Sequence, residues 1–255
     1  MFNSKINLTF YPSKPEYLDY VLKPYPAIKK MPSWLENVPS YYTGQKSVDE
    51  NYDPTSTIKK CMPVIDCMSA GYHIPLPCDV WVEHITDREG RSGLNLKWSL
   101  SHIKIAEMHK MEQLINYPFN EHYEDIVFKW INLWTLRTPK GWSCMFIHPQ
   151  YHDDVPFKCM SAIVDTDKFP LPVNFPFFIK KGFKGLIPKG TPMIQVIPFK
   201  RQKFVASFKS DHSKLLNEWF KAKSVFFDIY KKHFRSKKEY TMDESKCPFA
   251  KIFKK

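Results

Sequence analysis

The densest run of potential metal ligands lies at residues 148–154, where the sequence reads His-Pro-Gln-Tyr-His-Asp-Asp. Imidazole and carboxylate groups together suit iron or zinc, so His148, His152 and Asp153 are candidate ligands of a divalent metal ion. Adjacent residues on a strand point to opposite faces, so a shared ion requires that His152 and Asp153 lie in a loop. The same composition also fits a polar surface turn before Pro156.

Two carboxylates, Asp165 and Asp167, are spaced so that a strand would carry both on the same face. If both are buried, the pKa of one would be raised, or the two would share a cation, which makes them the candidate catalytic residues. The alternative is the end of a strand, with Asp167 forming the turn that leads to Phe169 and Pro170.

Tyr72 and His73 follow Gly71 and are candidate ligand-binding residues that could line the same cleft. A histidine whose hydrogen bonds are satisfied inside the core is the more frequent alternative. The sequence contains no Gly-rich phosphate loop, no G-x-S-x-G elbow and no H-E-x-x-H motif. None of the six cysteines forms a C-x-x-C motif, which excludes a zinc ribbon and a thioredoxin motif. The apolar neighbours of Cys144 and Cys159 favour reduced, buried thiols, so we expect a reducing cytosol.

Short strands must position these residues. Apolar and polar residues alternate over 79–85 and again over 94–98, with a turn at 87–93 between them, which predicts a hairpin. A strand with two apolar faces is predicted over 126–135. Further strands, separated by Pro and Gly turns, are predicted at 142–147, 162–165, 173–179 and 193–199. The pattern predicts a mainly β body, a barrel or a jelly-roll-like sandwich, over residues 61–205.

Two segments flank this body. Residues 1–60 are rich in Pro and Tyr, and we interpret them as an extended arm that packs aromatic side chains onto the body. Residues 206–255 hold a basic segment in which apolar residues recur at helical spacing over 211–235, with Asp211 as a plausible N-cap. We expect the apolar face of this amphipathic helix to pack on the body or on a neighbouring subunit.

The formal net charge of +12 is concentrated at one end of the chain. Residues 200–255 carry 16 Lys and Arg against 6 Asp and Glu, a local net of +10, which leaves +2 for residues 1–199. The basic segment therefore suggests an acidic partner such as nucleic acid, although a solvated helix face with a Lys-rich end gives the same pattern. No apolar run approaches the ~18 residues of a membrane span, and Met1–Lys5 lack signal-peptide features, so we expect no membrane partner.

Three segments resemble, in the same order, motifs of the trimeric dUTPases and dCTP deaminases. Ser69-Ala70-Gly71-Tyr72-His73 resembles the family's Ala-Gly-Tyr-Asp motif, and residues 162–167 resemble its Gly-Val-Ile-Asp-x-Asp-Tyr motif. Residues 189–197 are similar to its Gly-Asp-Arg-Ile-Ala-Gln-Leu motif. The resemblance implies a dUTPase-like jelly-roll fold, with Asp165 at the position that orients the attacking water and Gln195 as a ligand-binding residue.

The family's other working parts are missing. Lys168 stands where an aromatic side chain stacks on the deoxyribose, and His73 replaces the aspartate of the first motif. Residues 148–151 replace the phosphate-binding Arg-Ser-Ser segment, and no glycine beyond Gly190 could build the closing C-terminal arm. Because these groups would stabilise the transition state, the resemblance favours the fold over the activity.

A second resemblance covers roughly residues 60–200. Residues 137–142, 164–167 and 189–192 are similar to Arg-Thr-Pro-Pro-Gly-Trp, Val-Glu-Thr-Asp and Gly-Glu-Pro stretches shared by a family of uncharacterised phage and bacterial proteins. This resemblance implies a phage or bacterial context, with a location in the host-cell cytoplasm or in the virion, but no activity.

Three functions remain open from the sequence. The first is a non-catalytic binding or assembly module that self-associates as a homo-oligomer. The second is an enzyme such as a metal-dependent nucleotide hydrolase, which requires that Asp165, Asp167 and His73 converge in one pocket. The third is nucleic-acid binding through the basic C-terminal segment, with an affinity that falls steeply with salt.

Overall fold

The computed structural model describes residues 6–86, 88–222 and 228–242. Within these residues the chain is mainly β, as the alternating pattern predicts, and every strand pair is antiparallel. The strands, in chain order, are β1 Thr9–Pro12, β2 Tyr25–Pro26, β3 Tyr72–Pro75, β4 Val80–Thr86, β5 Ser92–Trp98, β6 Ala106–Met108, β7 Tyr123–Trp130, β8 Trp134–Arg137, β9 Trp142–Ile147, β10 Phe157–Cys159, β11 Ala162–Val164, β12 Phe175–Lys180, β13 Gly185–Ile187 and β14 Pro192–Lys200.

Two larger sheets enclose most of the core. One has the strand order β11-β9-β14-β3-β2 and the other β10-β12-β7-β6. Their inner side chains belong to one apolar cluster, and Phe146 of the first sheet stacks on Phe175 of the second with ring centroids 5.6 Å apart. Burying such aromatic surface is the main stabilising term available to a β body of this size.

The described sheets do not close into a barrel. The five-stranded sheet ends at β11 and β2, and the four-stranded sheet ends at β10 and β6. The structure is therefore an arrangement of open antiparallel sheets, and of the two predicted alternatives the closed barrel is wrong for the described residues.

The predicted hairpin is confirmed. Strands β4 and β5 pair over their whole length, from Val80 opposite Trp98 to Thr86 opposite Ser92, and β13 adds a third strand beside β4. Val80, Val82, Leu94 and Leu96 point into the core, as the alternation requires.

The single strand predicted over 126–135 is wrong, because β7 ends at Trp130 and β8 begins at Trp134. The buried side chain of Asn132 accepts a hydrogen bond from Trp134 N (3.0 Å) and donates one to Trp134 O (2.7 Å). These two bonds replace a sheet ladder locally, so the chain turns and enters a different sheet.

The N-terminal segment is bonded to the body at two places. Strand β1 pairs with β8, and β2 pairs with β3. Two short α-helices also occur in this segment, α1 Tyr17–Tyr20 and α2 Trp34–Asn37, and a third, α3 Met62–Ser69, lies at the start of the body. The sequence pattern did not predict α3.

The C-terminal segment contains helix α4, Ser213–Ala222, whose N-terminus is capped by Asp211 through the backbone N–H of Ser213 (3.0 Å). A π-helical turn follows at Tyr230–Phe234. The predicted helix over 211–235 is thus found in part, and residues 223–227 lie outside the described chain. None of the described helices is long and apolar enough to cross a membrane.

Candidate functional site

The carboxylates Asp165 and Asp167 lie at the turn that follows β11, next to the start of β9 and the end of β14. Arg201 bridges the pair: its guanidinium donates to both carboxylate oxygens of Asp167 and lies 3.1 Å from Oδ1 of Asp165. Asp165 also accepts a 2.6 Å hydrogen bond from the buried hydroxyl of Ser143. The shared cation that the spacing suggested is therefore a guanidinium supplied by the chain itself.

This network keeps both carboxylates ionised. The hydrogen bond from Arg201 holds the pKa of Asp167 well below its usual range, and the one from Ser143 lowers the pKa of Asp165. Neither group is thus placed to hold a proton near neutral pH. The side chain of Asp167 is only 3% exposed and also accepts a hydrogen bond from Gly141 N, whereas that of Asp165 is half-exposed.

A shallow groove of about 590 Å³ borders Asp165. It is lined by Ile163, Val164, Asp165, Lys168, Phe169 and Pro170. Ile163 and Phe169 are exposed, so the groove offers apolar surface beside one carboxylate and one ammonium group. The groove can therefore accept an apolar segment with a polar neighbour.

His73 does not join this site. Strand register places His73 opposite Gln195 and Gln195 opposite Ile147, while Val164 lies opposite Cys144. Asp165 therefore lies three strands across the sheet from His73 and about four residues further along the strand direction. The distance between the two residues is roughly 20 Å. The structure brings Asp165 and Asp167 together but leaves His73 elsewhere, so the three do not converge in one pocket.

The other expected ligand-binding residues make contacts within the protein. Gln195 is fully buried; its amide nitrogen donates to Cys67 O (2.9 Å) and Ala70 O (2.8 Å), and its oxygen accepts from Gln150 N (2.9 Å). The hydroxyl of Tyr72 donates to the carbonyl of Thr241 at 3.0 Å. Both side chains therefore fasten separate segments of the chain.

His148 and His152 are buried, whereas Asp153 is exposed. No group of three or more His, Cys, Asp or Glu that could hold a metal ion occurs in the described parts of the chain, so these three residues do not form one ligand set. His148 instead accepts from Cys159 N through Nδ1 (3.4 Å) and bonds the backbone of His152. The 148–154 run forms a turn, as the alternative interpretation expected, but its two histidines are buried and do not lie on the surface.

His73 and His152 form a second, separate polar cluster. Their ring centroids lie 5.4 Å apart, and the ring of Tyr25 lies 5.8 Å from that of His73. Four polar atoms of this cluster are buried and have no hydrogen-bond partner among the residues that the structure describes: both ring nitrogens of His73, Nε2 of His152 and the hydroxyl of Tyr25. The sequence singled out His73 in the 69–73 motif and His152 in the 148–154 run, but no sequence signal linked either histidine to Tyr25.

The C-terminal segment returns to the body at α3. Arg235 and Lys238 both bond the buried carboxylate of Asp66, with Arg235 Nη2 at 2.7 Å and Lys238 Nζ at 2.9 Å. These bonds lower the pKa of Asp66. Part of the C-terminal positive charge is thus used to hold the chain together. The sequence pattern did not predict this contact, because Asp66 and Arg235 are 169 positions apart.

Helix α4 and the extended chain before it make few contacts with the body. We call residues 202–222 the contact arm. Its apolar side chains are exposed, including Phe204 at 79%, Val205 at 81% and Phe208 at 98%. The helix adds Leu215, Leu216, Trp219 and Phe220, all exposed as well. Within the described residues, Trp219 stacks on Phe234 of the π-helical turn, with ring centroids 6.3 Å apart. The sequence predicted an apolar face here but not that most of it stays exposed in this part of the chain.

Comparison with known proteins adds no family. No protein-family model matches the chain, and no curated protein matches it.

Proposed function

We propose that this protein is a non-catalytic assembly module that self-associates through the contact arm. The observation that carries the proposal is the exposure of Phe204, Val205 and Phe208, which precede an amphipathic helix with further exposed apolar residues. A monomeric protein rarely leaves so many large apolar side chains in contiguous contact with water. Burying them against a second copy would gain about 25 cal/mol for each Å² removed from water.

The body offers a receiving surface near the start of the contact arm. Arg201, which immediately precedes the arm, contacts Asp165 at the edge of the groove that contains Ile163 and Phe169. A two-fold axis beside this groove would bring the arm of each copy onto the groove of the other, which is a closed and self-complementary arrangement. We therefore propose a second copy of this chain as the occupant of the groove.

The state of the carboxylates supports a non-catalytic role. Asp165 and Asp167 are ionised and bonded by Arg201 and Ser143, and His73 lies about 20 Å away by strand register. The scaffold that we propose is dUTPase-like in motif order, and each of the three resembling segments contributes a strand (β3, β11 and β14) to the five-stranded sheet. A resemblance to phage and bacterial proteins of no known activity is compatible with an assembly role.

The test is the oligomeric state of the full chain. We expect size-exclusion chromatography with light scattering to show a mass of at least two chains, 60.4 kDa or more given 30.2 kDa per chain, at micromolar concentration. The double variant Phe204→Ser/Phe208→Ser should shift the protein to the monomer. The matched control Ile115→Ser, which removes an equally exposed apolar side chain (79%) from the body, should leave the oligomer intact. A monomeric wild type at high concentration would refute the proposal.

A second candidate is binding of single-stranded nucleic acid by the same arm. Lys203 and Lys209 flank Phe204 and Phe208 along the chain, and all four residues are exposed. Proteins that bind single strands combine positive charge along the backbone with aromatic side chains on which bases stack. This pattern favours nucleic acid over other acidic partners.

Fluorescence anisotropy with a labelled single-stranded oligonucleotide tests this candidate. We expect an affinity that falls linearly with the logarithm of salt concentration, and a loss of affinity in Lys203→Gln/Lys209→Gln. That charge variant should not change the mass found by light scattering, so the two candidates give different results. Absent or salt-insensitive binding would exclude nucleic acid as the partner.

A further inference from the structure

A row of polar side chains crosses the inner strands of the five-stranded sheet. Tyr25 on β2, His73 on β3 and Gln195 on β14 lie directly opposite one another in register, so they share one face of the sheet. Gln195 is fully hydrogen-bonded within the protein. In contrast, the hydroxyl of Tyr25 and both ring nitrogens of His73 have no hydrogen-bond partner among the described residues.

The turn at 148–155 covers this row and supplies a second imidazole. Two bonds hold the turn down: Trp34 Nε1 donates to Tyr151 O at 2.9 Å, and Ser33 Oγ donates to Asp154 Oδ2 at 3.0 Å. His152, 4% exposed, is thereby placed against His73. Residues 33–34, which are distant in sequence, thus fix the position of the turn that covers the cluster.

Four buried polar atoms without partners meet here: Nδ1 and Nε2 of His73, Nε2 of His152 and the hydroxyl oxygen of Tyr25. A buried polar atom without a partner is energetically costly, so several of them at one place point to a bound species that pairs them. The backbone of Lys30 lies beside the ring of His152, and Nε2 is the ring nitrogen that has no partner among the described residues. Histidines that bind metals are commonly oriented by a backbone carbonyl that bonds the second nitrogen.

The spacing of the two rings fits a shared ion. With a metal–nitrogen bond of about 2.0–2.1 Å, a metal lies ~3.2 Å from the centroid of each imidazole. Two such rings at a tetrahedral angle then have centroids ~5.2 Å apart. The observed separation of His73 and His152 is 5.4 Å, and their planes are nearly perpendicular at 80°.

We propose that His73, His152 and Tyr25 form a binding site for one transition-metal ion that prefers imidazole ligands, with zinc as the representative. The two imidazoles would supply nitrogen. The phenol of Tyr25, whose pKa burial raises to about 12, would supply oxygen only by releasing its proton to solvent as the metal binds. A fourth position would be left for water. This site differs from the set His148, His152 and Asp153 expected from sequence, since it exchanges two of those residues for partners on neighbouring strands. It is also independent of the contact arm.

Burial is the main cause that lowers the pKa of both histidines, that of His73 to about 3. Two charged groups lie near the rings. Lys30, whose ammonium group bonds Gly190 O at 2.8 Å, lowers the pKa of both histidines as well, whereas Asp154 raises that of His152.

The experiment uses untagged full-length protein, stripped with a chelator and then dialysed against zinc, with bound metal counted by mass spectrometry. We expect one zinc per chain and a rise in the melting temperature on loading. In cobalt-loaded protein we expect visible absorption bands of a tetrahedral site. His73→Phe should bind less than about a tenth of an equivalent, since it removes one of two imidazole ligands. The control His84→Ala, which removes an exposed histidine, should still bind one.

Tyr25→Phe keeps this test decisive should His73→Phe fail to fold, because it removes only the hydroxyl oxygen. We expect it to change the cobalt spectrum and to weaken zinc binding. The proposal is refuted if the wild type takes up no zinc or cobalt, if His73→Phe still binds one equivalent, or if the cobalt spectrum of Tyr25→Phe is unchanged.

Discussion

Arg201 donates to Asp167 through both arms of its guanidinium group, Nη1 to Oδ1 at 2.9 Å and Nη2 to Oδ2 at 2.5 Å. The same carboxylate accepts the backbone N–H of Gly141, at the turn before β9. One ion pair thus joins the end of β14, the turn after β11 and the turn before β9. Bidentate pairs of this kind fix geometry as well as charge, so the carboxylates here position the chain.

Replacing Arg201 by Gln should destabilise the protein. The change leaves the carboxylate of Asp167, 3% exposed, without its cation, and an unpaired buried charge is costly. We expect the urea midpoint to fall several times further than in Lys97→Gln, which breaks the exposed pair with Glu83. Adding Asp167→Asn to Arg201→Gln should restore part of the loss. Equal shifts in the two single variants would contradict the structural role.

Stability should depend on acid pH through Asp167. Because Arg201 lowers the pKa of this carboxyl below its ordinary 3.8, the unfolded chain binds more protons than the native one at low pH. The stabilisation is fully present above the ordinary pKa and is lost as pH falls through the lowered one. Urea unfolding from pH 6 to pH 3 should show a shallower decline for Asp167→Asn than for the wild type. Parallel curves would show that Asp167 contributes nothing.

Gly71 is required where β3 begins. It adopts φ +69°, and a Cβ atom there would lie 1.9 Å from the carbonyl oxygen of Val196. We expect Gly71→Ala to cost about 3 kcal/mol or to prevent folding, because backbone atoms must move apart. Gly182, with φ +72° and no atom near its Cβ position, is the matched control. Gly182→Ala should cost only ~1 kcal/mol, as measured by chemical denaturation. Similar losses at both positions would show that the close approach is unimportant.

Asn132→Ala should cost about 2 kcal/mol, because it leaves the backbone N–H and C=O of Trp134 without their partners. Asn120 is a suitable comparison, since its side chain also bonds a backbone N–H, that of His122, but on the surface. We expect Asn120→Ala to change the free energy of unfolding by less than about 0.5 kcal/mol. If Asn132→Ala is equally mild, the break between β7 and β8 does not depend on this side chain.

Asp66→Asn should loosen the C-terminal segment without unfolding the body. The change weakens the bonds from Arg235 and Lys238. Hydrogen–deuterium exchange should then rise over residues 230–242 and stay unchanged in β7 and β12. Glu239→Gln, which breaks only the exposed pair with Lys237, should leave exchange as in the wild type. Unchanged exchange in Asp66→Asn would mean that other contacts hold the segment.

The hairpin β4–β5 could be predicted from sequence because alternation and turn residues are local signals. The break at Asn132 could not, since a strongly apolar run hides a single polar residue that changes the path of the chain. The pairing of β2 with β3 also escaped detection, because a two-residue strand beside a proline carries no periodicity. The first feature depends on one local side chain and the second on a contact between distant parts of the chain.

The candidate sites show the same division. The spacing of Asp165 and Asp167 indicated a shared cation, but only the fold reveals that Arg201 supplies it. His73 was singled out by its position in a motif, and the fold pairs it with Tyr25 and His152 instead of with the carboxylates. Residue type predicts which chemistry is available, while register determines which groups meet.

The contact arm lies between two anchors, Arg201 on Asp167 and Arg235 on Asp66. The arm is therefore a loop held at both ends and not a free tail. Because both ends stay on the body, the positions that the arm can reach are limited. A protease that cuts once between residues 204 and 212 would release no fragment from the native protein. Both pieces would remain attached and separate only under denaturing conditions, so a nicked molecule would keep its mass while losing the continuity of the arm.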